Sequence, residues 1–166
     1  MVFSDTEEHQ ISDGFCLARI SKLSAQWKIS FDFKPTEYQE GGELYALLVR
    51  QALSDDALLN FSISFPHPNI RLYVEDPRLG GVPYVDLKSS QLPQLHEWSR
   101  IEISHVEEEG GNYFLSLSVG GKEVGREGFE LGKNLTDVKI YNGIAVFGSW
   151  MNQPGFIRGL VVSDKQ

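Results

Sequence analysis

The sequence predicts an all-β protein, a two-sheet antiparallel β-sandwich of the jelly-roll type. Apolar residues recur at every second position in several short segments, and turn residues separate these segments at intervals of about 8–12 residues. The chain has 166 residues, of which 41% are hydrophobic and 23% charged, a composition typical of one compact domain. We therefore predict a single domain over residues 14–166, preceded by an N-terminal extension over residues 1–13.

The clearest predicted strand covers residues 27–34. Its large apolar side chains alternate with polar ones and so share one face: Trp27, Ile29, Phe31 and Phe33. The same alternation returns in four later segments: residues 61–65, 70–74, 101–104 and 113–119. Gly120 and Gly121 separate two strand-like runs by two residues, which is the preferred hairpin spacing. Successive hairpins of this kind predict antiparallel sheets.

Residues 43–59 carry conflicting signals. Leu44, Leu47 and Leu48 have the i, i+3, i+4 spacing of a helix, and the segment is rich in helix-forming residues. However, a strand that is buried on both faces also reads as a continuous apolar run. We predict a strand over residues 44–50, a loop over residues 51–56 and a second strand from Leu58, with a helix as the alternative.

The charge and cysteine content exclude several functions. Fifteen basic and 23 acidic side chains give a net charge of −8, which opposes contact with nucleic acid phosphates. No run approaches the roughly 18 apolar residues of a membrane-spanning helix. Cys16 is the single cysteine, so we predict neither an internal disulfide nor a multi-cysteine metal site.

The expected location is extracellular. Residues 1–13 are acidic and lack the features of a signal peptide, so a secretion signal would lie outside this chain. Asn60 and Asn134 each begin an Asn-x-Ser/Thr triplet, the acceptor of N-linked glycans in secreted proteins. We therefore predict glycosylation at these two asparagines.

Three segments resemble modules of extracellular adhesive proteins. Trp98 opens a strand-like run, residues 113–121 end in a glycine pair, and residues 155–162 combine glycine, an aromatic residue and an apolar ending. This pattern is similar to laminin G-like and thrombospondin N-terminal-like modules of the concanavalin A-like lectin/glucanase superfamily. The resemblance implies a non-catalytic module for adhesion or receptor binding, which binds a glycan or an extracellular protein through its loop rim.

Two loops contain aromatic residues outside the alternating core pattern. Trp150 and Tyr84 lie among glycine, proline and amide residues, and Asn152 follows Trp150 closely. Exposed aromatic rings beside amide groups suit sugar stacking or a protein contact. We predict Trp150, Asn152 and Tyr84 as ligand-binding residues; the alternative for Trp150 is that its ring covers the edge of the sandwich.

The resemblance also raises the question of calcium, which many laminin G-like modules bind. Asn152 matches the downstream ligand position of that family. The upstream segment, residues 80–84, has no carboxylate, and Asp76 and Asp86 flank it without occupying the expected place. Because calcium prefers several oxygen ligands including carboxylates, we predict no metal or other cofactor, with calcium as the alternative.

A galectin-like soluble lectin is the alternative function. The segment at 67–71 resembles the His-x-Asn-x-Arg motif of galectins, which His67, Asn69 and Arg71 match. The resemblance implies that these three residues bind galactosides. Trp98 matches the second galectin motif only in part. Pro66 and Pro68 flank His67 and favour a turn there, because proline is excluded from central strands.

No catalytic motif is evident. Glycosidases need two carboxylates that face each other across the substrate, and the Glu-x-Asp-x-x-Glu motif of jelly-roll glycosidases is absent. Glu107, Glu108 and Glu109 are adjacent, so their side chains alternate between faces. We predict that the protein is not an enzyme; a degenerate glycosidase relative serving as an accessory domain is a third possibility. The sequence carries no signal for the oligomeric state.

Overall fold

The fold is described here from a computed structural model. It describes residues 1–12, 14–39, 42–51, 57–64, 69–75, 83–108, 110–128, 135–143 and 152–165, without the side chains of residues 57, 58, 75, 83 and 84. Within these ranges the regular structure is entirely β. Among the same residues, nothing helical has the length and hydropathy of a membrane-crossing segment.

The described residues contain twelve strands, which form two antiparallel sheets of six strands each. The strands are β1 (Phe3–Gln10), β2 (Phe15–Leu23), β3 (Gln26–Pro35), β4 (Glu43–Gln51), β5 (Ala57–Ser64), β6 (Asn69–Glu75), β7 (Pro83–Ser89), β8 (Ser99–Glu108), β9 (Asn112–Val119), β10 (Lys122–Gly128), β11 (Leu135–Asn142) and β12 (Gly155–Lys165). Sheet A has the order β1-β12-β3-β8-β9-β10, and sheet B has the order β2-β11-β4-β5-β6-β7. The predicted jelly-roll β-sandwich is confirmed.

The core lies between the inner faces of the two sheets. Phe31 and Phe33 from sheet A are fully buried and meet Phe61 of sheet B edge to face, with ring centroids 5.5 and 5.8 Å apart. Edge-to-face contact suits the ring quadrupole and adds to the stabilisation from burial. The alternation in residues 27–34 therefore predicted the core face of β3 correctly.

Strand β4 confirms the strand predicted over residues 44–50. Its register with β5 shifts between Tyr45 and Leu47, so Ala46 is an extra residue in a bulge. The bulge puts Leu44 and Leu47 on the core side, three residues apart, because they pair with core residues of β5. This irregularity explains the three-residue spacing of Leu44 and Leu47, whereas Leu48 lies on the other face of the strand, opposite Asn60.

Residues 3–10, assigned from the sequence to an N-terminal extension, form β1 and pair with β12 at the edge of sheet A. The pairing explains how a polar segment becomes ordered: backbone hydrogen bonds to β12 hold it, and few of its side chains are buried. The glycine pair at 120–121 joins β9 to β10 as predicted, with Val119 opposite Lys122.

Sheet B turns one face toward the core and one face away from it, which we call the outer face of sheet B. Two rows of outward residues cross β4 to β7 in register: Tyr45, Ser62, Arg71 and Lys88 in one, and Leu48, Asn60, Tyr73 and Asp86 in the next. Several of these polar residues are buried although they face away from the core, including Asn60 and Ser62. This combination singles out the outer face of sheet B as the place to search for a site.

Candidate functional site

A polar cluster crosses four neighbouring strands on the outer face of sheet B. We call it the Arg71 cluster; it consists of Glu43, Asn60, Ser62, Arg71, Tyr73 and Asp86. Each residue occupies an outward position of its strand because the residues beside it fill the core. The alternation of β5, β6 and β7 therefore positions the cluster.

Arg71 connects the cluster through three hydrogen bonds. Its Nε and Nη2 donate to Oδ1 and Oδ2 of Asp86, each at 2.9 Å, and its Nη1 donates to Oε2 of Glu43 at 3.1 Å. The hydroxyl of Ser62 donates to the other oxygen of Glu43 at 2.5 Å. A bidentate pair of this kind fixes the plane of the guanidinium. The Arg71 and Asp86 side chains remain 19% and 27% exposed, so a ligand can reach them.

The two carboxylates also stabilise the charge of Arg71. The hydrogen bond that Arg71 donates to Asp86 is the largest cause of a raised Arg71 pKa; partial burial opposes it, and the charges of Glu43 and Asp86 add to it. Lys88 places a second, more exposed cation 3.7 Å from Asp86. These four charged groups, Glu43, Arg71, Asp86 and Lys88, are together formally neutral.

Two tyrosines lie beside the guanidinium. The Cζ atom of Arg71 is 4.1 Å from the ring centroid of Tyr73, a cation–π contact. The hydroxyl of Tyr73 is 3.1 Å from the hydroxyl of Tyr45 on β4. Tyr73 therefore contacts the face of the guanidinium, while Asp86 and Glu43 bind its edge.

Asn60 supplies an unsatisfied donor to the same face. It lies opposite Tyr73 across β5 and β6, it is 3% exposed, and its Nδ2 has no hydrogen-bond partner among the described residues. Leaving a buried donor unpaired costs about 1–3 kcal/mol. An acceptor on a bound ligand, or a water molecule, would remove this cost. Asn60 therefore gives the outer face of sheet B a donor that no described residue uses.

The structure brings together two of the three residues in the predicted galectin-like motif. Asn69 and Arg71 share one face of β6, two residues apart, and Asn69 pairs with Ser64. His67 lies outside the described residues. Trp98 of the second motif immediately precedes β8 of sheet A, where it contacts Arg158, with Cζ 4.0 Å from its ring centroid. Trp98 therefore lies on a different sheet from Arg71.

The other predicted ligand residues are placed as follows. Asn152 is 6% exposed and forms a backbone bridge with Tyr45. It packs so closely on Gly143 (φ 84°) that a Cβ there would lie 2.5 Å from its Oδ1. Trp150 lies outside the described residues, and Tyr84 is described only as part of the backbone of β7. Their ligand-binding roles stay predictions.

The two glycosylation predictions also stay untested. Asn134 lies outside the described residues. Asn60 stands within β5 with its side-chain nitrogen buried, so a glycan there and a place in the Arg71 cluster exclude each other.

The sequence reasoning missed the partners of Arg71. Asp86 was considered only as a flanking calcium residue, Glu43 only as part of a segment of uncertain structure, and Asn60 only as a glycan acceptor. Each stands at an alternating position of a strand, which was a usable signal for an outward side chain. Their meeting depends on strand order, which local patterns do not contain.

One other group of metal-ligand types occurs among the described residues: Asp5, Glu7 and His9 on the edge strand β1, with ligand atoms within 4.8 Å of one another. Their contacts are internal. Asp5 accepts from the backbone N–H of Glu7 at 2.8 Å and contacts Nε2 of His9 at 2.9 Å. The N–H of Glu7 is the largest cause of a lowered Asp5 pKa, with burial opposing and His9 adding. These contacts engage the Asp5 carboxylate with His9 and with the backbone of Glu7.

Comparison with known proteins identifies the fold. No protein-family model and no curated protein sequence matches this chain. The galectin LEC-6 of Caenorhabditis elegans has a similar structure, with a TM-score of 0.54, 12% identity, and coverage of 97% of this chain and 94% of that one. The fold is that of the concanavalin A-like lectins and glucanases.

Two further neighbours show how broad this fold is. A legume lectin-like domain from Entamoeba histolytica has a TM-score of 0.57 with 10% identity, covering 99% of this chain and 90% of that one. The endo-beta-1,4-glucuronan lyase of the fungus Trichoderma reesei has a TM-score of 0.61 with 10% identity, covering 99% and 76%. At these identities the likeness establishes the concanavalin A-like fold, and the predicted laminin G-like assignment stays unconfirmed.

Proposed function

We propose that this protein is a non-catalytic carbohydrate-binding module and that the Arg71 cluster is its sugar site. One observation carries the proposal: a guanidinium is fixed by two carboxylates on a partly exposed sheet face, beside a buried amide donor that has no partner. The lectins among the structural neighbours support it at the level of the fold.

The chemistry of the cluster matches that of sugar hydroxyls, which both donate and accept hydrogen bonds. Three of the five N–H groups of Arg71 bind carboxylates, which leaves two without a partner among the described residues. These two N–H groups and Nδ2 of Asn60 would donate to hydroxyl oxygens, and lone pairs of Asp86 would accept. Because Arg71 is already held, binding costs little side-chain entropy.

The charge balance favours a neutral sugar at this position. The carboxylates of Glu43 and Asp86 both lie within 3.1 Å of the Arg71 nitrogens. A ligand carboxylate that approaches Arg71 would therefore also come close to these two negative charges. The repulsion would offset much of the attraction to the guanidinium. A galactoside, as in the galectin-like alternative, has the required hydroxyls and no charge.

Cleavage of a glycan is the second candidate function. The Tyr45 and Tyr73 hydroxyls, 3.1 Å apart beside Arg71, are the observation that favours it, because tyrosine serves as a general acid or base. The endo-beta-1,4-glucuronan lyase among the neighbours gives the fold a precedent. We favour binding, since both carboxylates of the cluster are engaged by Arg71. An extracellular location is a part of the proposal taken from the sequence, which leaves an extracellular protein as the alternative partner to a glycan.

A glycan array with the purified protein tests the proposal, followed by titration calorimetry on the retained sugars. Arg71→Lys keeps the charge but loses the fork geometry, so we expect it to fold and to bind at least tenfold more weakly. Arg100→Lys on sheet A is the matched control, because Arg100 also binds a carboxylate, Asp32, but lies away from the cluster. Retention of no sugar, or equal binding by both variants, would refute the proposal. Shortened products after incubation would favour the enzymatic candidate.

A further inference from the structure

Three cations stand in register on the outer face of sheet B, outside the Arg71 cluster. Lys139 of β11 lies opposite Arg19 of β2 on one side and opposite Arg50 of β4 on the other. Val138 and Ile140, on either side of Lys139 in the chain, are fully buried in the core, so Lys139 and its two neighbours point outward. We call Arg19, Lys139 and Arg50 the cationic row.

The cationic row is unexpected in a chain with a net charge of −8. Like charges directly opposite each other on antiparallel strands destabilise the sheet, because their Cβ atoms lie only about 4.5–5.5 Å apart. Arg50 has a further interaction, but neither Arg19 nor Lys139 has a carboxylate within 4.0 Å among the residues that the structure describes. Arg19 and Lys139 therefore carry positive charge that no described carboxylate balances.

A cleft of about 240 Å³ lies over part of the cationic row. Its lining comprises Arg19, Ile20, Ser21, Asp137, Val138 and Lys139. Arg19 and Ser21 are exposed, and Lys139 is half-buried, so both cations and a hydroxyl are accessible. Asp137 is the one acidic group among the described residues of the lining, and it makes no ion pair with the described cations. The cleft suits a small group with a negative charge.

The cationic row and the Arg71 cluster share one surface. Arg50 is two residues from Leu48 in β4, and Leu48 pairs with Asn60 of the cluster. At the usual strand spacing, Lys139 lies about 10 Å across the strands and about 7 Å along them from Asn60. A short oligosaccharide would reach both places.

We propose that the cationic row binds a negatively charged substituent, a carboxylate or a sulfate, of the glycan whose neutral sugar occupies the Arg71 cluster. This inference rests on the proposed function for the identity of the ligand. The charges assign a different role to each place. Arg71 is balanced by two carboxylates and binds neutral hydroxyls, while Arg19 and Lys139 have no carboxylate partner among the described residues and bind the anion.

The first test compares neutral oligosaccharides with their own acidic derivatives. The probes are lactose, sialyllactose and sulfated lactose, alongside the sugars retained on the glycan array. We expect a carboxylated or sulfated derivative to bind about tenfold more tightly than its parent, with a gain that shrinks at high salt.

Lys139→Gln and Arg19→Gln remove the gain and leave binding of the parent unchanged. Lys122→Gln, an exposed lysine of β10 in sheet A, is the control and keeps the gain. A comparison of sialyllactose with sulfated lactose shows whether the cationic row prefers a carboxylate or a sulfate.

The second test is thermal unfolding without ligand at low salt. Lys139→Gln relieves the repulsion within the cationic row, so the unfolding midpoint of the variant rises or stays equal. If Lys139 instead served a purely structural ion pair, the substitution would lower the midpoint.

Equal binding of parent and derivatives in the first test overturns this inference and leaves the sugar site standing. Binding of the acidic derivatives alone, lost in Lys139→Gln, refutes the neutral sugar site and supports the cationic row. Failure of every probe and array sugar to bind overturns both.

Discussion

Arg71 and Asp86 form a planar two-point contact across β6 and β7, with Nε–Oδ1 and Nη2–Oδ2 distances of 2.9 Å each. The two residues are not register partners: Arg71 pairs with Lys88, and Asp86 pairs with Tyr73. The contact is therefore a diagonal one, and it aims the guanidinium toward β4, where Glu43 completes the arrangement. The geometry of the proposed sugar site depends on this diagonal contact between Arg71 and Asp86.

Removing the charge of Asp86 tests this dependence. We expect Asp86→Asn to lower the free energy of unfolding by about 1–3 kcal/mol, because charge-assisted hydrogen bonds to Arg71 are lost, and to weaken sugar binding. Urea unfolding and calorimetry measure the two effects. Asp32→Asn is the control: Asp32 binds Arg100 and Arg158 in sheet A, so stability falls there without a change in affinity. Full affinity in Asp86→Asn would contradict the role of the diagonal contact.

Substitution of Asn60 should weaken sugar binding with little effect on the stability of the fold. Because its Nδ2 is buried without a partner, Asn60→Ala should change the free energy of unfolding by less than about 1 kcal/mol. The same variant should bind sugar about three- to tenfold more weakly, since one hydrogen bond to the ligand is lost. In the control Asn142→Ala, loss of the 2.6 Å bond from Nδ2 to the Gln10 carbonyl should reduce stability alone. Unaltered affinity in Asn60→Ala would remove Asn60 from the site.

The aromatic contact between the sheets should dominate core stability. Phe61 meets both Phe31 and Phe33, so we expect Phe61→Ala to cost about 3–5 kcal/mol in the free energy of unfolding. Denaturant unfolding followed by tryptophan fluorescence measures this loss. Phe61→Leu keeps most of the volume and should cost less. A loss below about 1 kcal/mol would mean that the inner faces are not packed as described.

Tyr38 should make stability depend on alkaline pH. Burial raises the pKa of its hydroxyl, which donates to the Pro93 carbonyl at 2.6 Å. A pKa raised in the folded state gives stabilisation that is complete below the unfolded value of about 10 and declines as the pH rises above it. Tyr38→Phe loses the hydrogen bond, about 0.5–1.5 kcal/mol at neutral pH, and should show a shallower decline above pH 10. Chemical unfolding at several pH values compares the two proteins; parallel curves would contradict the expectation.

The sequence by itself determined the class of fold. Period-two alternation identified the core face of β3, and the glycine pair at 120–121 located a hairpin, because both signals depend on residues close together in the chain. The segment at 43–59 was harder, since the bulge at Ala46 disturbs the period there. Arg71 was recognised through a local motif that also contains Asn69.

Only the tertiary structure decided the composition of the site. Arg71 meets Asp86 over 15 residues and Glu43 over 28 residues of chain, and strand order in sheet B creates both contacts. The pairing of Arg19 with Lys139 likewise brings together residues that are 120 positions apart in the chain. Alternation tells which face of a strand a side chain occupies, but not which strand lies beside it, because pairing is set by the packing of the whole sandwich.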